Sequence, residues 1–249
     1  LLAISGALVG GARIALVQRF RPQSFWDDVG RYGASVVVYV GEMGRMLVDQ
    51  PPVPGEERNS VRLFIGSGLR EPVWYELRRR FGHPSVVEYY ASTEGNAVLA
   101  NLSGAKVGSV GRPLPSSTDV ALIAFDPVKR TPERDEHGRG VRVPPGTCGV
   151  LVARVAHGEP FGEVDGFVDR RGVVEGSIET DLFEPGDRWF VTGDWMRADD
   201  EGDHWFVDRL AHLVRVGPTD GSVARLVATT RVEDVVGDGL AASEGLVLA

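Results

Sequence analysis

The sequence predicts an α/β chain, with a mostly parallel βα-layered sheet followed by a small antiparallel β subdomain. Two observations carry this. From Leu1 to about Tyr90, apolar runs of strand length alternate with segments of helical periodicity, and repeated βα units build a parallel sheet with helices packed on it. After Asn96 the texture changes to short β runs separated by Gly, Pro and Asp, the pattern of a small antiparallel sheet or barrel. At 249 residues the chain can form one large domain or two smaller ones around a real core.

Leu1 to Gly10 reads as an apolar, buried helix ended by Gly10-Gly11, and Arg13 to Gln18 as a short strand. Arg21-Pro22-Gln23-Ser24 opens the next helix, with Ser24 as N-cap and Phe25, Val29 and Tyr32 on one face. The Val-rich run Ala34 to Val40 has the mark of a strand buried on both sides. A helix through Met43, Met46 and Leu47 follows, then a loop rich in Pro and Glu from Gln50 to Ser60. Val61 to Ile65 is a second buried strand, Glu71 to Phe81 an amphipathic helix ending at Gly82, and Pro84 to Val87 a third strand. Further β runs are expected at Asp119 to Phe125, Gly149 to Val155, Trp189 to Thr192 and His204 to Val207. The charged, Pro-rich stretch Asp126 to Thr147 reads as a surface excursion, and the weakly patterned tail from Gly237 as a frayed end.

Composition narrows the function. Apolar residues make up 43% and charged residues 25%, as in an ordinary soluble protein. A net charge of −8 argues against sequence-independent nucleic-acid binding. Cys148 is the single cysteine, which excludes an internal disulfide framework and a Cys-based zinc cluster and fits a reducing, cytoplasmic setting. No apolar run reaches the roughly 18 residues of a membrane span. The start at Leu1, apolar and without a basic region before it, reads as the middle of a larger polypeptide rather than a signal peptide. The five histidines are scattered, without H-E-x-x-H spacing. Neither a G-x-S-x-G nucleophile elbow nor a G-x-G-x-x-G dinucleotide loop is present.

One stretch is chemically pointed. Glu88 to Asn96 reads E-Y-Y-A-S-T-E-G-N and follows an apolar strand, and ligands of α/β proteins bind at the carboxyl ends of strands. A ring there can stack on a base, hydroxyls can bond phosphate oxygens, and a carboxylate can hold Mg²⁺ beside phosphates. From the residues alone, a polar turn with a solvated Glu is an equal reading. Gly66-Ser67-Gly68, at the end of a buried strand, lets backbone approach a flat ligand, although such glycines are more often plain turns. Asp194 follows a β run and a glycine, where a carboxylate can accept both ribose hydroxyls or simply cap a turn. Arg209 follows a strand beside an acid, a place that also suits a surface ion pair. Gly104 to Pro113 is Gly-rich but lacks phosphate-loop spacing, and reads as the turn into the second subdomain.

In order, these pieces resemble the adenylate-forming superfamily, and within it the long- and very-long-chain acyl-CoA synthetases of the fatty acid transport protein type. Phe25-Trp26-Asp27-Asp28 resembles that branch's FWDD, and Tyr39-Val40-Gly41-Glu42 through Arg45 its YxGExxR. Ile65 to Arg70 resembles IGNGLR, Glu88 to Asn96 resembles EFYGATEGN, and Gly108 to Arg112 resembles GAVGR. Asp181-Leu182-Phe183, Gly186-Asp187, Trp189-Phe190 and Thr192-Gly193-Asp194 are similar to DVF..GD..F.TGD, and Asp208-Arg209 to its DR. The resemblance covers about Leu1 to Leu210.

It implies an enzyme that activates a fatty acid with ATP to acyl-AMP and transfers the acyl group to CoA. By position, Tyr90 stacks on adenine, Gly66, Ser67 and Gly68 edge the base slot, and Ala91 stands where the acyl carboxylate passes. Thr93 bonds the α-phosphate, Glu94 holds Mg²⁺, Asp194 binds the ribose hydroxyls, and Arg209 the ribose or phosphate side. Val36 to Val40 and Gly41 to Leu47 line the acyl tunnel, although core packing explains their apolar content equally well. The implied division is 1–96 as an α/β subdomain with the pocket, 97–209 as a mainly β subdomain, and 210–249 as a divergent hinge with the start of a C-terminal subdomain. An acyl substrate brings peripheral membrane contact into view.

The departures are specific. The family's phosphate loop and its C-terminal lysine do not occur in these residues, Ala91 replaces a glycine, and Pro218 to Ala228 diverges before Thr229-Thr230-Arg231-Val232-Glu233-Asp234 partly recovers TTEVE. Two alternatives therefore stand beside the ligase. One is a catalytically incomplete acyl- or nucleotide-binding module of a larger lipid-metabolic protein. The other is an acyl-AMP ligase that loads a carrier protein.

Overall fold

The computed structural model describes residues 2–91, 96–115, 117–126, 129, 131–156, 162, 167–169, 172–174, 178–216, 225–230 and 232. The chain divides into two compact units, Leu1–Tyr90 with Leu99–Arg112, and Ala91–Val98 with Pro113–Ala249. The fold class is α/β.

The first unit contains helices α1 (Leu2–Val9), α2 (Phe25–Tyr32), α3 (Gly41–Val48) and α4 (Glu71–Arg80). Its sheet runs in the order β1 (Val36–Val40), β2 (Leu63–Ser67), β3 (Ser85–Ala91), β4 (Val98–Asn101) and β5 (Arg112–Pro113). β1, β2 and β3 are parallel, and α3 and α4 are the crossovers that parallel pairing requires. Trp74, Leu77 and Phe81 recur on one face of α4 and its exit and are fully buried, packing with Phe64, Val86 and Leu47. The outer side of α4 carries the Glu76–Arg79 pair. Arg80 turns inward instead. It forks onto both Glu56 carboxylate oxygens at 2.7 and 2.8 Å and donates to the carbonyls of Val48 and Gln50, which satisfies a buried guanidinium and pins the Pro-rich loop from Gln50 to Ser60.

Five expectations need correction here. α1 forms but is not buried, with Leu8 72% and Val9 91% exposed. Its apolar residues surround the helix, so no one orientation covers them all. Arg13 to Gln18 is irregular, not a strand, and among the described residues no neighbouring strand supplies it a ladder. β1 is an edge strand buried on one face only. Val37 and Tyr39 point into the core, while Val36, Val38 and Val40 are 47, 47 and 56% exposed. Ser24 precedes α2 without a side-chain capping bond, since a short 3₁₀ turn over Pro22–Ser24 leads the chain in. Within α2, Tyr32 is exposed, and Trp26 packs on the core in its place through Phe81.

The second unit is antiparallel. It comprises β6 (Val120–Ile123), β7 (Phe125–Asp126), β8 (Thr131–Pro132), β9 (Cys148–Arg154), β10 (Phe167–Asp169), β11 (Gly172–Val174), β12 (Ile178–Thr180), β13 (Arg188–Ala198), β14 (His204–Arg209), β15 (Val214–Val216) and β16 (Arg225–Val227). The main sheet runs β12-β13-β9-β6 with β14 also on β13, and β7–β8, β10–β11 and β15–β16 are two-stranded ribbons. Among the described residues the sheet is open, not a closed barrel. Ile123, Val150, Val152, Leu182 and Trp189 form its core. The described residues from Asp126 to Thr147 are mostly exposed and are tied down by the β7–β8 ribbon and isolated bridges at Arg142 and Arg134. The tail from Gly237 lies outside the described residues. No described helix is long and apolar enough to cross a membrane.

Candidate functional site

The candidate residues fall into two groups, one in each unit. In the first unit the turn after β2 is built by close backbone approach. Tyr39 lies opposite Gly66 and Val40 opposite Ser67 in the parallel register. A Cβ on Gly66 would overlap the Tyr39 carbonyl oxygen, and one on Gly41 would overlap the carbonyl of Gly68. Gly68 is exposed and has φ +84°, a conformation L side chains rarely adopt. Gly66 and Gly41 are thus required for packing of backbone on backbone, and Gly68 for its backbone conformation. Ser67 is half-buried at the end of β2.

Glu88, on β3, is 2% exposed and faces this turn. The Tyr39 hydroxyl donates to its Oε2, the Leu69 N–H donates to its Oε1 at 3.0 Å, and the Gly68 N–H also donates to the carboxylate. Burial pushes the Glu88 carboxyl up to about 7, against the opposing pull of these three donors. Burial and the facing carboxylate push the Tyr39 phenol well above its ordinary range. Two residues on, along the same face of β3, Tyr90 is half-buried.

The raised carboxyl has a consequence for stability. Folded Glu88 binds its proton more tightly than the unfolded chain, whose carboxyl titrates near 4.5, so its contribution is full below 4.5 and is lost as pH rises through about 7. The loss amounts to about 3 kcal/mol. Urea melts of Glu88→Gln between pH 4.5 and 8 are expected to lack this downward slope. Parallel pH profiles for the two proteins would contradict it.

In the second unit, pairing of β13 with β9 shifts register between Val191 and Trp195, so Thr192-Gly193-Asp194 forms a bulge. Thr192 Oγ1 donates to the Leu151 carbonyl and accepts the Asp194 N–H, and Gly193 takes φ +76°. The bulge re-aims Asp194, which is 6% exposed, and sets it opposite Arg209 on β14. Arg209 Nε lies 3.6 Å from Asp194 Oδ1, with the guanidinium side chain 66% exposed. A fixed carboxylate beside a solvent-facing fork-shaped cation suits a ligand bearing hydroxyls and a phosphate. Ala91 is exposed at the end of β3. Thr93 and Glu94 lie outside the described residues. Among the described residues no group of three His, Cys, Asp or Glu could hold a metal ion.

Two acids of the same motifs have structural tasks that the residue pattern alone does not disclose. Asp187 accepts the N–H groups of Leu182, Phe183 and Glu184 and the indole N–H of Trp189. Burial opposes its ionised form, but these donors outweigh burial and hold the carboxyl below its usual range. Asp208, 2% exposed, accepts the Thr229 N–H and hydroxyl at 2.7 and 2.8 Å and the Arg209 N–H at 2.8 Å. Thr230 Oγ1 adds a bond to the Val207 carbonyl. Thr229-Thr230 is thereby fastened to the end of β14, on the strand that carries Arg209.

Residues 1–141 match the AMP-binding enzyme family. Rat (Rattus norvegicus) long-chain fatty acid transport protein 2 is 36% identical over 240 residues, covering 95% of this chain and 37% of the relative. The medium/long-chain-fatty-acid–CoA ligase FadD6 of Mycobacterium tuberculosis is 37% identical over 232 residues, covering 93% and 36%. The chain thus spans just over a third of the length of these curated relatives. Among solved structures, ATP-bound MatB from Rhodopseudomonas palustris aligns with TM-score 0.69 at 21% identity, over 94% of this chain and 41% of that one. The O-succinylbenzoate coenzyme A synthetase MenE from Bacillus subtilis in complex with AMP aligns with TM-score 0.63 at 23% identity, over 95% and 42%. At these identities the likeness is one of fold.

Proposed function

The chain belongs to the AMP-binding enzyme family, and on that premise we propose that it is the nucleotide- and acyl-binding part of a long-chain fatty acid–CoA ligase. The observation that carries the nucleotide half is Asp194, a buried carboxylate aimed by a bulge and set against exposed Arg209. The acyl half is supported by the likeness to fatty acid transport proteins and to a fatty acid–CoA ligase. The exposed Val36, Val38 and Val40 face of β1, beside the Gly66–Gly68 turn, is apolar surface suited to an alkyl chain.

In this reading Tyr90 stacks on adenine, and the backbone edge of Gly66, Ser67 and Gly68 borders the base. Asp194 accepts both ribose hydroxyls, and Arg209 neutralises charge on the ribose–phosphate side. The Thr93 hydroxyl donates to an α-phosphate oxygen as negative charge builds there. The fatty acid carboxylate attacks the α-phosphorus, the bond to the bridging oxygen breaks, and pyrophosphate leaves. CoA sulfur then attacks the acyl carbonyl, loses its proton, and AMP departs with the bonding electrons. Mg²⁺, held by Glu94, would neutralise phosphate charge. Residues 210–249 are the hinge and the start of a C-terminal subdomain. Peripheral contact with a membrane, where fatty acids partition, belongs to the same reading.

Calorimetry of this chain with AMP and a stable long-chain acyl-adenylate analogue tests it. Both are expected to bind, the analogue more tightly, and Asp194→Ala is expected to weaken AMP about tenfold to a hundredfold through two lost charge-assisted bonds. Absence of heat with both ligands would contradict it. The divergence from Pro218 to Ala228 favours one second reading, a module that binds acyl-adenylate without turnover. Binding by the chain without acyl transfer by the whole polypeptide would select that reading.

A further inference from the structure

We propose that Glu88 and Tyr39 act together as a positioning pair that holds the Gly66–Leu69 turn at the height a base requires. The inference rests on the reading above that this turn borders the adenine. Three strands meet at the pair: Tyr39 comes from β1, the turn from the end of β2, and Glu88 from β3. One carboxylate oxygen takes the Tyr39 hydroxyl, and the other takes the Leu69 N–H. The Gly68 N–H completes the set. On the far side, the turn rests on the backbone of Gly41 with no room for a Cβ there. The turn is therefore gripped from below by Glu88 and from one side by the start of α3.

A merely packed turn does not need such a device. Burying a carboxylate is costly, and an apolar side chain of similar volume would fill the space under Gly68 at less expense. What the carboxylate adds is direction. It orients two consecutive N–H groups inward and so fixes which way the Ser67–Gly68 and Gly68–Leu69 peptides present their edges outward. No cationic side chain takes part in the described contacts of Glu88. Tyr39 is the titratable group facing it, with Tyr89 acting on Tyr39.

The test compares AMP affinity by calorimetry with melting temperature, at pH 8, for the unaltered chain, Glu88→Met, Glu88→Gln and Tyr39→Phe. Glu88→Met fills the volume and releases both amides, and is expected to weaken AMP about tenfold or more. Glu88→Gln keeps one oxygen for the Leu69 N–H while the phenol can accept from its amide, so it is expected to restore most of that affinity. Tyr39→Phe is expected to fall between them. A purely structural role makes affinity track melting temperature across the series. The positioning role instead weakens AMP in the order Met, Phe, Gln, an order that melting temperature does not follow, because Tyr39→Phe leaves the carboxylate buried with one donor fewer whereas Glu88→Met removes the buried charge. Affinities equal to that of the unaltered chain, or falling only with melting temperature, would overturn the pair's role and leave the adenylate reading intact. Failure of the unaltered chain to bind AMP would overturn that reading and this inference together. Should Glu88→Met not fold cooperatively, Glu88→Gln and Tyr39→Phe decide by the same criterion.

Discussion

Gly66→Ala is expected to destabilise the first unit by about 3 kcal/mol or more, the range of severe overpacking. The added Cβ would overlap the Tyr39 carbonyl oxygen and come within 2.8 Å of the Tyr39 ring at Cγ. Neither can retreat cheaply. The carbonyl belongs to the β1 backbone that pairs with β2, and Tyr39 is 3% exposed and bonded to Glu88. Relief requires β1 and β2 to separate at their carboxyl ends, where the turn begins. Gly68→Ala is the control. Its Cβ would meet nothing nearer than 3.7 Å, so it carries only the strain of φ +84°, worth about 1–2 kcal/mol. Urea melts that rank Gly66→Ala well below Gly68→Ala bear out close approach as the reason for glycine at position 66. Equal losses would assign both positions to backbone conformation alone.

Asp208→Ala has the second large effect. It removes the acceptor for the Thr229 N–H, the Thr229 hydroxyl and the Arg209 N–H, at a residue 2% exposed. Stranding buried donors costs about 1–3 kcal/mol, and more when the lost acceptor was charged, so a loss of about 3 kcal/mol is expected. The loss has an address. Hydrogen exchange at the Thr229 and Thr230 amides is expected to accelerate far more than at Val150 to Val152 in the middle of β9. Uniform acceleration would mean that Asp208 supports the whole sheet rather than the fastening of Thr229-Thr230.

The contrast between these residues marks what was legible in the sequence. Alternating βα texture located β2, β3 and α4, because a buried strand or an amphipathic helix writes its burial into consecutive residues. β1 defeated the same rule. Val36 to Val40 is valine-rich whether one face or both are covered, and cover is a property of neighbours. Arg13 to Gln18 likewise has strand-like residues but no partner strand among the described residues. For the site, Gly66, Gly68, Asp194 and Arg209 could be singled out because motif and chemistry lie in adjacent residues. Glu88 could not be given a task, since its partner Tyr39 stands 49 positions away and meets it only through the register of three strands. Asp187 and Asp208 were visible as motif letters, but their backbone partners appear only once the turn after β12 and the end of β14 are folded.

The adenylate reading is tested most directly by ATP–pyrophosphate exchange in the full-length protein, with and without a long-chain fatty acid. Exchange is expected only with the fatty acid present, falling by about a hundredfold or more in Glu94→Ala, as removal of a charge-stabilising group at a reacting phosphate implies. Exchange that needs no fatty acid, or that proceeds unchanged in Glu94→Ala, would contradict it.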